Sequence, residues 1–340
     1  MLDILKGLYR AAREPVLIMK DDKLVHRNNA AMQFEKQLTM PEEFCIQPVP
    51  FVGTFLVEET EYQAVASAAG EYRVFVLYKV ENSSKNILVS LGGAIKDSIT
   101  AIRLAANALN KDIEDERSRF YRNMMEHQIS SIDRLAGNML YVGGNKGYGS
   151  NESIDIVKLY GELIHSVNTL TNGNRATVSF APAVSELSVI GDCNLLERMI
   201  LNLLSNSLKA TTAKDNVVVT VERRGNRAMI TVNDTGKGIS EDILPHLFSS
   251  YNVERSLSES YHSIGMGLSI VQGIARSMGG MVMVKSEEGK GTMVTVSLPL
   301  NEQNVFFSPS EKYGAKSMRI LQTELCEVLT ADCYGEMFND

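Results

Sequence analysis

The stretch NLLERMILNLLSNSLKATT, residues 194–212, most narrows what this chain can fold into. Leu195, Met199, Ile200 and Leu203 recur at steps of three and four, which predicts an amphipathic helix with a buried face. Asn202, Asn206 and Lys209 are spaced four and three apart, so they share another face of that helix. An amide oxygen is a hard ligand suited to Mg²⁺, and a lysine one turn on can reach a phosphate. A solvated helix face would present the same row.

The downstream sequence favours a ligand. VVVTVERRGNRAMITVND, residues 217–234, reads as a β-hairpin turning at RRGN. Asp234 ends its second strand, where a carboxylate can accept a hydrogen bond from an exocyclic amine such as that of adenine. Gly236 and Gly238 follow and allow the backbone to approach a flat ligand closely. Gly265 and Gly267 then precede the helix LSIVQGIARSMGG, whose first amides suit a phosphate. Between them, the polar run SSYNVERSLSESYHS, residues 249–263, has the composition of a lid.

Upstream, residues 84–112 and 116–141 read as two helices joined by the polar turn KDIEDE, hence antiparallel neighbours. Met125, Ile129, Ile132, Ala136 and Met139 form the expected apolar stripe of the second helix, leaving His127 exposed. A lone hairpin cannot cover its own stripe, and a second copy would complete a four-helix bundle. GGNKGYGSN, residues 143–151, is a linker by composition. SIDIVKLYGELIHSVNTL has a helical pattern, and ATVSFAP and LSVIGD read as short strands. Residues 1–82 read as a small α/β module: strands at PVLIM, KLVHR, FVGTFLVEE and EYRVFVLYKVE, with a helix after Asn28. The tail, residues 301–340, holds a strand or helix at MRILQTELCEVL, with no chemistry legible in it.

The ordered motifs of residues 152–300 resemble the ATP-binding domain of sensor histidine kinases, a branch of the gyrase, heat-shock chaperone and mismatch-repair ATPases. The resemblance implies that Asn206 holds Mg²⁺ with Asn202 assisting, that Lys209 touches phosphate, and that Asp234 reads the adenine amine. It implies that Gly236 and Gly238 shape the base pocket and Gly265 and Gly267 the phosphate loop. Phe248, in LFSSY, matches the phenylalanine before the lid, and GKGTMVTV the closing strand, with Thr292 near the base. Where the hydrolases of this superfamily carry a water-activating glutamate, this helix has Asn202, whose amide cannot take a proton from water. LVHRNNAAMQF resembles the early segment of PAS sensor modules, and reads equally as an Asx turn capping a helix.

The implied fold is α+β and multidomain: a PAS-like module at 1–82, a dimerisation hairpin at 83–142, an α/β-sandwich ATP-binding domain at 152–300, and an extension at 301–340. In the family, the first hairpin helix carries the phosphoacceptor in a pattern like S-H-E-L-R-T-P-L-T-x-I. Residues 92–102, GGAIKDSITAI, match that register, but Gly93 falls on the histidine, Ala94 on the acid and Ser98 on the proline. The five histidines are His26, His127, His165, His246 and His262, none of them in that helix. Two readings stay open: a histidine kinase passing phosphate to a response regulator, and an ATP-binding regulator that transfers no phosphate to itself. The long hairpin argues against a serine kinase of the anti-sigma type. Expected cofactors are ATP and Mg²⁺, and expected partners a second copy and a receiver domain. A net charge of −7 argues against nucleic acid, and no run approaches membrane-spanning length, so a cytoplasmic protein is expected.

Overall fold

A computed structural model of the chain describes residues 1–10, 12–32, 40–57, 60–79, 95, 99, 102, 116–142, 152–171, 175–244, 247–248, 267–300 and 315–334. The N-terminal strands are β1 (Val16–Lys20), β2 (Lys23–Arg27), β3 (Phe51–Val57), β4 (Thr60–Ala69) and β5 (Tyr72–Lys79). They lie antiparallel in the order β2-β1-β5-β4-β3. Asp21 and Asp22, both at positive φ, close the first hairpin. The period-two pattern divides the apolar residues between two faces. Val16, Ile18 and Val74 pack beneath helix α1 (Leu2–Tyr9) through Leu5. Leu17, Met19, Phe75 and Leu77 pack on the other face with Ala31 of α2 (Asn29–Met32) and Phe44 of α3 (Glu42–Ile46). Asn28 ties the module together: its Oδ1 accepts from Val16 N and Ala31 N, each at 2.9 Å, while its Nδ2 donates to Glu14 O at 2.9 Å.

The sheet does not end at β3. Val52 and Gly53 pair with Val284 and Met283 of β11 (Met281–Glu287). A ten-stranded sheet then continues through β12 (Gly291–Pro299), β10 (Arg227–Asp234), β9 (Asn216–Arg224) and β7 (Thr177–Phe180). Gly53 is required at this seam, because a Cβ there would stand 2.5 Å from Phe44 Cζ. We expect Gly53→Ala to lower stability by about 1–3 kcal/mol through overpacking, read as an earlier urea midpoint.

Helices α5 (Ile156–Thr171), α6 (Cys193–Ala210) and α7 (Gly267–Ser277) cover one face of the downstream strands and share one core with them. Asp192 caps α6, accepting from Asn194 N at 2.7 Å and Leu195 N at 3.3 Å. The helical reading of SIDI is corrected: Glu152–Asp155 forms strand β6, paired with β8 (Ser188–Gly191). Asp155 Oδ1 then accepts from Val157 N at 3.0 Å, so the helix begins only at Ile156.

Helix α4 spans Glu116–Val142, as its periodicity predicts. Of the expected first hairpin helix, Ile95, Ile99 and Ile102 are described and helical, and Ile95 and Ile99 cluster with Ile129 and Ala136. Gly93, Ala94 and Ser98 lie outside the described residues, as do the linker at 143–151, Gly265 and the expected lid. The α4 stripe departs from expectation. Met125 and Ile132 are exposed, while Arg134, Asn138 and Tyr141 are buried. The reason is neighbours invisible to periodicity: the C-terminal helix α8 (Ala315–Glu324) and the turn after it pack on α4 and cover Arg134, while Arg198 of α6 and Gly273 of α7 meet Asn138 and Tyr141. His127 is accordingly half-buried rather than exposed. Its Nε2 lies 2.8 Å from Cys326 O, and its ring meets Tyr334 edge-on. No disulfide joins Cys45, Cys193, Cys326 or Cys333.

Candidate functional site

The site forms where the C-terminal end of α6, the end of β10, the start of β12 and the first turn of α7 meet. At its base end, Asp234 is buried. Its Oδ1 accepts from Gly236 N at 3.0 Å and Thr292 N at 3.2 Å, and its Oδ2 accepts from Ser207 Oγ at 2.9 Å. An ionised carboxylate has about four acceptor positions, so about one is left for an outside donor. Register places these groups together: Asp234 stands directly opposite Thr292 in the β10–β12 ladder. Thr292 Oγ1 exchanges a hydrogen bond with Ser286 Oγ, which also accepts from Ile239 N.

The two glycines after Asp234 are spatially enforced. A Cβ on Gly236 would lie 2.4 Å from Ala210 O, and one on Gly238 2.1 Å from Glu287 O. Gly238 also sits at φ +68°, where side chains other than glycine's are strained. Phe248 is buried, and its N donates to Gln63 Oε1 of β4 at 3.3 Å. The residue at the start of the expected lid is thereby in contact with the N-terminal module.

At the other end, Asn202, Asn206 and Lys209 do share one face of α6. Gly267, at the start of α7, looks onto them: its Cβ would stand 3.2 Å from Asn206 Nδ2 and 3.4 Å from Asn202 Oδ1. Asn206 has no hydrogen-bond partner among the described residues. Asn202 is fully buried, and its Nδ2 donates to Arg198 O at 2.9 Å. Arg134 of α4 brings Nη2 within 3.4 Å of Asn202 Oδ1 and 3.3 Å of Ser205 Oγ.

Two acidic side chains from the C-terminal segment complete this end. Glu324 accepts from Asn202 Nδ2 at 3.0 Å and lies 3.1 Å from Arg198 Nε and 3.4 Å from Arg134 Nε. Glu327 pairs with Arg134 Nη1 at 3.0 Å and accepts from Lys209 Nζ. Sequence reading missed Ser207, Arg134, Arg198, Glu324 and Glu327. Arg198 lies one turn before Asn202 and could have been found by extending that helical face, whereas Ser207 lies on another side of α6, toward Asp234. Arg134 and the glutamates come from distant segments and carried no local signal.

Burial lowers Lys209 below the ordinary lysine range; Glu327 opposes the shift and Arg134 adds to it. For Glu327, burial acts upward, but Arg134 and Lys209 outweigh it and hold the carboxyl below its usual range. A carboxyl with a depressed native pKa contributes stability above its unfolded pKa and loses it as pH falls through the native value. We therefore expect the stability difference between the native chain and Glu327→Gln to persist at neutral pH and to close in the acid limb below the usual glutamate range, as followed by thermal melting.

The comparisons with known proteins fall on the same region. Residues 191–302 match the family described as histidine kinase-, DNA gyrase B-, and HSP90-like ATPase. This stretch is similar to the ATPase domain shared by histidine kinases, DNA gyrase B and HSP90. An uncharacterized sensor-like histidine kinase of Rhizobium meliloti is 34% identical over 139 residues, covering 41% of this chain and 26% of that protein. The sensor-like histidine kinase SenX3 of Mycolicibacterium smegmatis is 23% identical over 228 residues, covering 65% of this chain and 59% of that protein. The chain thus spans from about a quarter to about three-fifths of the length of these relatives. A crystal structure of full-length ShkA in complex with AMPPNP shares the fold, with a TM-score of 0.52 at 21% identity, covering 64% of this chain and 46% of that one. Among the described residues, no helix of the chain is long and apolar enough to cross a membrane.

Proposed function

We propose that this chain is a sensor histidine kinase that binds Mg²⁺-ATP and works in two-component signalling. The observation that carries the reading is the convergence of Asp234, Gly236 and Thr292 with Asn202, Asn206, Lys209 and the start of α7 around the C-terminal half of α6. The residues fit the nucleotide: a buried carboxylate with acceptor capacity left, and an Asn206 amide with no hydrogen-bond partner among the described residues. Asp234 would accept the adenine amine, with Gly236 and Gly238 beside the base and Thr292 bracing the carboxylate. Asn206 would hold the metal, Lys209 would meet phosphate, and Gly265 and Gly267 would supply the phosphate loop. Bound Mg²⁺ would supply charge neutralisation on the phosphates. Asn202 offers no base to activate water, which suits transfer over hydrolysis.

In this reading residues 1–82 are a PAS-like sensor, 83–142 the dimerisation hairpin and 301–340 an extension. The exposed Phe120, Tyr121, Met124, Met125 and Ile132 on α4 support a second copy packing there. The contact between Gln63 and Phe248 supports a direct link from sensor to lid. The proposed downstream partner is a receiver domain, and the proposed location the cytoplasm. By the resemblance, Gly93 and Ala94 fall on the acceptor positions, which is the ground for a second reading as a nucleotide-responsive regulator.

Incubation with γ-labelled ATP tests both. Acid-labile, base-stable label on the chain supports self-transfer, and its loss in His127→Gln would place the acceptor on α4. Tight nucleotide binding with no label supports the regulator. No nucleotide binding at all refutes the site.

A further inference from the structure

The C-terminal segment has no assigned role, yet it supplies the only carboxylates among the described residues that touch the polar row of α6. Its placement is not that of a surface strand lying by chance on a groove. Leu321, Leu325, Val328 and Leu329 are buried in the main core. Arg175 Nε donates to Val328 O, and Tyr334 Oη donates to Gln322 O at 2.9 Å. These contacts fix the turn that holds Glu324 and Glu327 over α6.

What the two carboxylates touch is telling. Glu324 bridges Arg134, Arg198 and Asn202, and Glu327 bridges Arg134 and Lys209. Three cations and a primary amide converging on anionic oxygens is the donor set that recognises a polyphosphate. The receiving groups come from two elements, α4 and α6, and the anions from a third. Arg134 and Glu324 are both more than nine-tenths buried, so neither is idly solvated. Asn202 spends its Nδ2 on Glu324 and Arg198 O and turns its Oδ1 to Arg134, so neither of its amide atoms is left open.

We propose that Arg134, Arg198 and Lys209 form the anion-receiving end of the nucleotide site, and that Glu324 and Glu327 are its resident intramolecular competitor. The inference rests on the nucleotide-site reading above. Phosphate oxygens and the two carboxylates address the same donors, and adding a triphosphate to the occupied cluster would set anion against anion in a buried place. The phosphates engage these cations fully only when the carboxylates withdraw. Tethering places the competitor at an effective concentration in the millimolar range, enough to oppose a free nucleotide. The apparent affinity is the intrinsic one reduced by the fraction of chains with the carboxylates withdrawn. A signal that loosens residues 315–334 would therefore raise nucleotide occupancy.

The test compares the full-length native chain with the Glu324→Gln, Glu327→Gln double variant by titration calorimetry, using Mg²⁺-AMPPNP and, separately, adenosine. Glutamine keeps the shape and removes the charge. We expect Mg²⁺-AMPPNP to bind the double variant at least about tenfold more tightly, with adenosine affinity unchanged, since adenosine carries nothing for the cation cluster. Unchanged or weaker Mg²⁺-AMPPNP binding to the variant would overturn the competitor while leaving the site standing. Failure of both ligands to bind either protein would instead refute the nucleotide site. A second measurement needs no substitution: amide hydrogen exchange in residues 315–329 of the native chain should rise when Mg²⁺-AMPPNP is added, and unchanged or slower exchange there counts against displacement.

Discussion

Asp234→Ala is expected to abolish measurable binding of Mg²⁺-AMPPNP and also to destabilise the fold. From sequence alone, loss of this carboxylate looks like the loss of one ligand contact at a pocket wall, with the fold untouched. The structure corrects that expectation. Three internal donors, Gly236 N, Thr292 N and Ser207 Oγ, converge on the same carboxylate. Each buried donor left unpaired costs about 1–3 kcal/mol. Alanine therefore removes the group that reads the base and the clamp that holds the β10 end against β12 and α6. Asp234→Asn separates the two effects. Its amide oxygen still accepts from Gly236 and Thr292, and the Ser207 hydroxyl can rotate to accept from the new NH₂. Its outward-facing atom, however, becomes a donor facing a donor. We expect the asparagine variant to melt within a few degrees of the native chain while losing adenine-dependent affinity, and the alanine variant to lose both. An alanine variant that binds AMPPNP as the native chain does would remove Asp234 from the site.

How much of this was legible in the sequence follows from where the information lies along the chain. Helix α6 and the β9–β10 hairpin were readable because their partners are local: the apolar period fixes one face and the RRGN turn fixes the register. Asp234 and Thr292 were matched by motif order, and the ladder that joins them follows from two strands with strong β patterning. Strand β4 was missed because TEYQAVASAA is rich in small residues and lacks an alternating signal; it becomes a strand by pairing with β3 and β5 on both sides. The seam at Val52 and Gly53 is a tertiary event between segments more than two hundred residues apart. The C-terminal contact is the same kind of event. Nothing in MRILQTELCEVL says that its two glutamates, one helical step apart, will meet Asn202 and Lys209 across 122 and 118 residues. Arg134 was missed and His127 misjudged for that reason. A helix wheel shows which side of α4 is apolar, but not that a distant acidic segment will bury its cations.

Arg134→Met is also expected to carry a large cost to stability. The guanidinium is buried with two carboxylates, and methionine keeps its length and apolar bulk while deleting its charge. Burial alone would disfavour the charged arginine, but Glu327 and Glu324 keep it firmly protonated. Removing one partner of a buried ionic group leaves the others uncompensated, at a cost of about 3–5 kcal/mol. Here the uncompensated groups would be Glu324 and Glu327, left to Arg198 and Lys209 alone. The decisive measurement is a double-mutant cycle in urea. In the native background the loss should be several kcal/mol. In the Glu324→Gln, Glu327→Gln background, where no carboxylate remains to be stranded, the same change should cost far less. Equal losses in the two backgrounds would mean that Arg134 stabilises α4 by packing alone, and that the three-cation cluster does not act as a unit. A large coupling would instead make the acidic tail and the hairpin helix one electrostatic element, so that a shift in α4 changes the grip on Glu324 and Glu327 and with it access to the phosphate end.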